Sequence, residues 1–191
     1  MKITLVRHTE VDEKYHKKYN GHIDIGLSKQ GEEQARKLAD FFLTYVFDSV
    51  YCSDLKRARE TLKPFTQENQ AIYTELLREK SWGKHEGLSF DEIVAQGEIE
   101  YEEFITWIKA LDGEDYEVYI KRVKEFFLTY LISLNAENIL VVTHAGVIRV
   151  LIAIVQKLSL EEAFSINVPY SAYIVFDTDL MSFSEVKYNN C

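Results

Sequence analysis

Little in this chain staples, kinks or stiffens a backbone: its 191 residues include two cysteines, two prolines and eight glycines. Cys52 and Cys191 are too few for a disulfide framework or a thiolate metal site. Cys52 is expected in a core strand and Cys191 on a free tail, and a reducing cytoplasm is the simplest compartment. No Pro- or Gly-rich linker, low-complexity tract or internal repeat stands out, so residues 1–191 read as a single domain. Apolar runs are short, and none would span a bilayer. A strand begins at Lys2 with no charged-then-apolar leader before it, so no export signal is expected. Basic residues are outnumbered, 22 Lys and Arg against 31 Asp and Glu, for a net charge of −9. That balance argues against nucleic acid or an anionic membrane surface as a partner.

What is present is a globular composition, 47% hydrophobic and 28% charged. Lys2-Ile3-Thr4-Leu5-Val6 and Asn138-Ile139-Leu140-Val141-Val142 read as buried strands. Shorter strands are expected at Ser49-Val50-Tyr51-Cys52 and Ala71-Ile72-Tyr73. Residues 172–177 and 182–186 complete an antiparallel edge. Ser28 caps a helix whose buried face carries Ala35, Leu38, Ala39, Phe42 and Val46. A second helix runs from near Leu55 to about Phe65, capped by Ser53-Asp54 and limited by Pro64. A third runs from Ala145 to Lys157. Ser89-Phe90-Asp91-Glu92 is a capping box that opens a helical region reaching about Asn135. That region breaks near Gly97 and Asp112-Gly113, and its Phe126, Phe127 and Tyr130 read as core. The alternation predicts an α/β fold: a mostly parallel central sheet, helices on both faces, an antiparallel edge, and residues 89–135 as a helical insertion roofing a pocket.

Chemistry gathers where strands stop, the edge at which parallel α/β sheets place their sites. The first strand ends in Arg7-His8-Thr9-Glu10 and the later one in Thr143-His144-Ala145-Gly146. Between them lie Ser53-Asp54-Leu55-Lys56-Arg57-Ala58-Arg59-Glu60-Thr61 and an irregular stretch, Leu77-Arg78-Glu79 through Trp82-Gly83-Lys84-His85-Glu86-Gly87-Leu88. An arginine beside a histidine points to an anionic substrate, most simply a phosphate.

Taken in order, these four segments resemble the histidine phosphatase superfamily, with its phosphoglycerate-mutase-like fold, over nearly the whole chain. The resemblance implies a metal-independent phosphomonoesterase acting on a small phosphorylated metabolite, without a cofactor. His8 would be the nucleophile and pass through phosphohistidine. Arg7, Arg57 and His144 would bind the phosphoryl oxygens, His144 most usefully as a cation, and the Ala145 N–H would add a donor at a helix start. Glu79 would protonate the leaving alkoxide and then deprotonate the attacking water, with Glu86 fixing the loop. Three positions depart from the family pattern: Thr9 stands where Gly is common, Val11 where Thr is common, and His85 where Trp is common. An expected phosphate-holding Asn is replaced near Asp12-Glu13-Lys14, and Lys14 is a candidate substitute donor. The start Arg7-His8-Thr9, the stretch Tyr19-Asn20-Gly21-His22-Ile23-Asp24 and the stretch Val168-Pro169-Tyr170-Ser171 are similar to α-ribazole-phosphate phosphatases.

Other readings stay open at this point. A phosphoglycerate mutase is one, although the chain is compact for that role; a binding protein without turnover is another. The pair His85-Glu86 lacks the two-histidine helical spacing of zinc hydrolases, so no metal is expected. His16 and His22 read as loop residues, and Arg59 as a surface residue. Lys14, Asn20, Gly21 and His22 are candidates for substrate contact, and selectivity is expected from residues 14–25 and 92–135. Oligomeric state is left open, a homodimer included.

Overall fold

The computed structural model of the protein describes residues 1–188, so the expectation for Cys191 lies outside the described residues. Four strands run parallel: β1 (Lys2–Arg7), β2 (Ser49–Ser53), β3 (Ala71–Thr74) and β4 (Asn138–Thr143). The antiparallel edge is β5 (Ala172–Asp177), with β6 (Ser182–Phe183) and β7 (Lys187–Tyr188). The sheet order is β3-β2-β4-β1-β5-β6, with β7 also on β5. The edge pair is shorter than its apolar run suggests. After Phe183 the Ser184 hydroxyl accepts the Val175 N–H, a side chain standing where a ladder partner would.

The period of two explains why β1 and β4 sit in the middle. Ile3, Leu5, Ile139 and Val141 enter one apolar core, while Val6, Leu140 and Val142 enter the other. The second core is closed by α1 (Lys29–Phe41) and α2 (Lys56–Leu62). The first is closed by α5 (Tyr116–Glu125) and α6 (Ala145–Gln156), together with α3 (Phe90–Ala95) and α4 (Phe104–Ala110) of the roof. Last comes α7 (Leu160–Ser165).

Ser28 caps α1 as expected, its hydroxyl accepting the Gly31 N–H at 2.9 Å. That helix ends sooner than its pattern, because the chain turns toward β2 after Phe42. Phe42 stays buried and Val46, expected inside, is 80% exposed. Ser53 and Asp54 do not cap α2. Asp54 instead receives a two-pronged guanidinium from Arg78, at 2.8 and 2.5 Å, and Ser53 turns to the site. Pro64 has no N–H to continue the helix.

The Ser89–Glu92 capping box forms in full, and the roof breaks near Gly97 and Gly113 as expected. Gly113 is required there: its φ is +93°, and a Cβ would lie 2.4 Å from the Ser81 carbonyl oxygen. The roof therefore docks directly on the loop that follows Glu79. Helix α7 was not foreseen. Ser159 and Glu162 form the same kind of capping box as Ser89 and Glu92, so the signal was present. No helix among the described residues is long and apolar enough to cross a membrane.

Candidate active site

Three parallel strands end side by side. Arg7 pairs with Thr143 in the β1–β4 register, so the next residues, His8 and His144, are neighbours. The His8 N–H donates to the Thr143 carbonyl at 2.9 Å, and the two imidazole centroids are 5.2 Å apart. β2 delivers Ser53, whose hydroxyl meets His144 Nε2 at 2.8 Å, and α2 follows with Arg57.

His8 is buried, and its Nδ1 lies 2.8 Å from the Thr9 carbonyl oxygen. A carbonyl only accepts, so Nδ1 carries the hydrogen and Nε2 keeps its lone pair. Burial, reinforced by the charges of Arg57 and Arg7, holds the imidazole pKa well below its usual value. His8 is therefore a neutral imidazole with a free Nε2, the form a nucleophile needs. Thr9, one of the departures from the family pattern, is structural. Its N–H donates to Thr61 Oγ1 at 3.0 Å, and that hydroxyl donates to the Arg57 carbonyl, which ties the strand end to the helix carrying Arg57.

Arg57 is 2% exposed and donates to the carbonyls of Ile23 and Gly21, at 2.9 and 2.6 Å. Burial lowers its pKa to about 10, so it stays charged at neutral pH. Arg7 donates to the Val168 carbonyl and lies 4.0 Å over the Tyr170 ring. Against the expectation of a cationic second histidine, burial first, then Arg57, His8 and Arg7, push the His144 pKa well below its usual value. His144 Nε2 and the Ser53 hydroxyl share one hydrogen bond, Ser53 Oγ also accepts the Leu55 N–H at 3.4 Å, and His144 Nδ1 has no partner.

Glu79 is gripped from both sides. Its Oε1 accepts from the Tyr119 hydroxyl at 2.8 Å and the Lys80 N–H at 3.0 Å; its Oε2 accepts the Gly146 N–H at 2.9 Å, in the first turn of α6. Gly146 permits that approach, since a Cβ there would lie 2.1 Å from Glu79 Oε1. Below it, one Glu86 oxygen gathers the N–H groups of His22 and Trp82 and the Ser81 hydroxyl, the loop-fixing role expected of it.

Four buried polar atoms among the described residues lack a partner: Arg7 Nε, His144 Nδ1, Asn20 Oδ1 and Trp107 Nε1. Orphaned buried donors are costly and call for an explanation. Two of these four belong to the neighbours of His8: Arg7 precedes it in sequence, and the His144 ring centroid lies 5.2 Å from its own.

The residues around His8 open into a cavity of about 280 Å³. Six Lys or Arg side chains line it (Arg7, Lys17, Lys18, Arg57, Lys80 and Arg149) against a single acidic one, Glu79. In a chain of net charge −9, that concentrates a local positive field. Trp82, Tyr116, Tyr119, Val150, Leu160 and Phe164 supply an apolar wall.

Of the anticipated site residues, Arg7, His8, Arg57, Glu79, Ala145, Asn20 and Gly21 line this cavity. Lys14, His22 and His144 do not, and the buried His144 imidazole meets Ser53 beneath the cavity's lining residues. A short turn at Glu13–Tyr15, capped by Asp12, sends Lys14 to the surface, where its ammonium lies 5.0 Å over the Tyr15 ring. His22 Nε2 donates to the Glu79 carbonyl at 2.8 Å and so braces the backbone of the carboxylate instead of meeting substrate. Asn20 Nδ2 donates to the Tyr15 carbonyl, which leaves Oδ1 as an open acceptor at the wall. The roof contributes Tyr116 and Tyr119, but α7 shares the task through Leu160, Ala163 and Phe164. Tyr119 carried no signal in the sequence, because the carboxylate it meets lies 40 residues away. Among the described residues, no group of three or more His, Cys, Asp or Glu side chains is placed to hold a metal ion.

A parallel-sheet edge that sets a neutral histidine beside two buried guanidinium groups defines a phosphate-handling α/β protein. The chain belongs to the histidine phosphatase superfamily: the model of its branch 1 matches residues 3–191. An adenosylcobalamin/alpha-ribazole phosphatase of Salmonella typhimurium is 31% identical over 159 residues, covering 80% of this chain and 78% of that protein. A 2,3-bisphosphoglycerate-dependent phosphoglycerate mutase of Parvibaculum lavamentivorans is 29% identical over 191 residues, covering 93% and 90%. The crystal structure of the alpha-ribazole phosphatase from Shigella flexneri superposes with a TM-score of 0.83 at 26% identity, covering 100% of this chain and 96% of that one.

Proposed function

We propose that the protein hydrolyses small phosphomonoesters through a phosphohistidine on His8. The observation that carries this reading is a buried histidine whose Nε2 lone pair is free, with two buried polar atoms beside it, Arg7 Nε and His144 Nδ1, that lack a partner. In the first step Nε2 attacks phosphorus, the ester P–O bond breaks, and Glu79 in its acid form gives its proton to the departing alkoxide. In the second, the Glu79 carboxylate takes a proton from water, the hydroxide attacks phosphorus, and the P–N bond breaks to release inorganic phosphate and neutral His8. Transfer of this kind depends on positioning and charge neutralisation, which Arg7 and Arg57 supply. The cavity, about 280 Å³, sits at the small end of ligand pockets, and its aromatic wall suits the body of a metabolite-sized leaving group.

The test is phosphate release from a panel of phosphorylated metabolites, with α-ribazole 5′-phosphate and 3-phosphoglycerate among them because of the relatives' names. Brief exposure to p-nitrophenyl phosphate should leave acid-labile phosphate on His8. Turnover by His8→Ala at the wild-type rate, or wild-type protein that neither labels nor releases phosphate, would defeat the proposal. Conversion of 3-phosphoglycerate to its isomer without net phosphate release would replace hydrolysis by mutase transfer.

A further inference from the structure

Lys80 follows Glu79 directly and is 2% exposed, yet it lines the cavity. Its ammonium makes one hydrogen bond, to the Ser81 carbonyl at 3.0 Å, and forms no ion pair among the described residues. It lies 4.2 Å over the Trp82 ring and 5.0 Å over that of Tyr116. The carboxylates that act on it from a distance are already committed. Glu114 takes both prongs of Arg122, Asp115 caps α5, Asp112 accepts the Lys84 N–H, and Glu79 accepts from the Tyr119 hydroxyl and the N–H groups of Lys80 and Gly146. Burial draws the Lys80 pKa down to about 8. A buried ammonium with unused N–H donors and no ion-pair partner is expensive to keep.

The other cations of the cavity differ. Arg7 and Arg57 stand at His8, Lys18 pairs with Glu92, Lys17 is exposed, and Arg149 donates to the Ile166 carbonyl. Lys80 is thus the buried cation left over on the wall formed by Trp82 and Tyr116.

We propose that Lys80, backed by Trp82 and Tyr116, is the specificity-determining residue that receives a second anionic group, a carboxylate or a further phosphate, carried by the leaving group of the substrate. This deepens the phosphatase reading and rests on it for the orientation of the substrate. A phosphoester bearing such a group would place one anion between Arg7 and Arg57 and the other against the ammonium of Lys80, its carbon body on the aromatic wall. A neutral alcohol as leaving group would leave Lys80 without a counter-ion.

The full-length protein is tested on matched pairs that differ in one charged group: 3-phosphoglycerate against glycerol 3-phosphate, and O-phosphoserine against O-phosphoethanolamine. Wild type should favour the acid-bearing member by about 10-fold to 100-fold in kcat/KM, the range of one charge-assisted hydrogen bond. Lys80→Met, of similar length and without charge, should bring that ratio close to one; Lys80→Gln serves if the methionine variant does not fold. Calorimetric binding of the same pairs to His8→Ala, with and without Lys80→Met, reads the subsite without turnover. Failure of wild type to hydrolyse any phosphoester would then sink the phosphatase reading while the binding ratio still reports on Lys80. A wild-type ratio near one, or a preference that survives removal of the ammonium, overturns the assignment. Equal losses for both members of a pair would mean that Lys80 only supports the fold, and would also overturn it.

Discussion

Gly146→Ala isolates the hold on Glu79. The added Cβ would stand 2.1 Å from Glu79 Oε1 and 2.8 Å from the Tyr119 hydroxyl, and the atom that can yield is the end of the flexible glutamate. Ordinary contact needs well over 3 Å, so the carboxylate must retreat by roughly 1 Å or more. That breaks its bond to the Gly146 N–H and strains the one from Tyr119. A misplacement of about 1 Å costs about 100-fold, within the roughly 10²–10⁴ that general acid–base catalysis supplies. The loss should be selective. Because kcat/KM covers only the steps through phosphohistidine formation, it should fall about 100-fold for alkyl phosphates, which need a proton on the leaving oxygen. For p-nitrophenyl phosphate, which needs none, it should change less than about fivefold. The melting temperature should hold or rise, since Ala exceeds Gly in helix propensity by up to about 1 kcal/mol. Wild-type kcat/KM for alkyl esters in a folded Gly146→Ala protein would refute the claim that Glu79, held from α6, is the acid.

Tyr119→Phe removes one of the three donors on Glu79; burial beside that carboxylate keeps the Tyr119 pKa well above its usual value, so the phenol is a donor at every working pH. The variant should shift the pH profile of alkyl ester turnover while leaving inorganic phosphate inhibition unchanged, and an unchanged profile would remove Tyr119 as a positioning residue. Arg57→Lys keeps the charge but loses the fork that meets two carbonyls, so it should cost about 1–3 kcal/mol in chemical denaturation and weaken phosphate inhibition together. Stability should also report the two histidines. Their folded pKa values lie below the ordinary 6.5, so the unfolded chain binds more protons between that value and the depressed ones, and stability falls as the pH drops through this window. Stability should therefore fall as the pH drops below 6.5, and His8→Ala should lose one histidine's share of that slope. A stability flat over that window would show that the pair is not held neutral.

Much of the site was legible because it is local. The apolar runs of β1 and β4 announce buried parallel strands, and a histidine directly after each is placed by register alone. The capping box at Ser89 is likewise a four-residue signal. What was not legible is what joins distant segments. Ser53 reads as a helix cap until β2 is set beside β4 and its hydroxyl finds His144, 91 residues away. Tyr119 lies 40 residues from the carboxylate it serves. Lys14 looks like a donor by charge, yet the turn begun at Asp12 points it to solvent. The burial of His144 among arginines likewise reverses the charge state expected of it.

In the proposed reaction Arg57 would have two employments, the substrate's phosphoryl group and the carbonyls of Gly21 and Ile23 that it already meets. The wall of the cavity at residues 21–23 would then be anchored by the same cation that holds the phosphoryl group. New specificities are free to arise by insertion or substitution between Asp12 and Tyr19, where the backbone owes nothing to that guanidinium. Changes that displace residues 21–23 would alter the reaction itself along with its choice of partner.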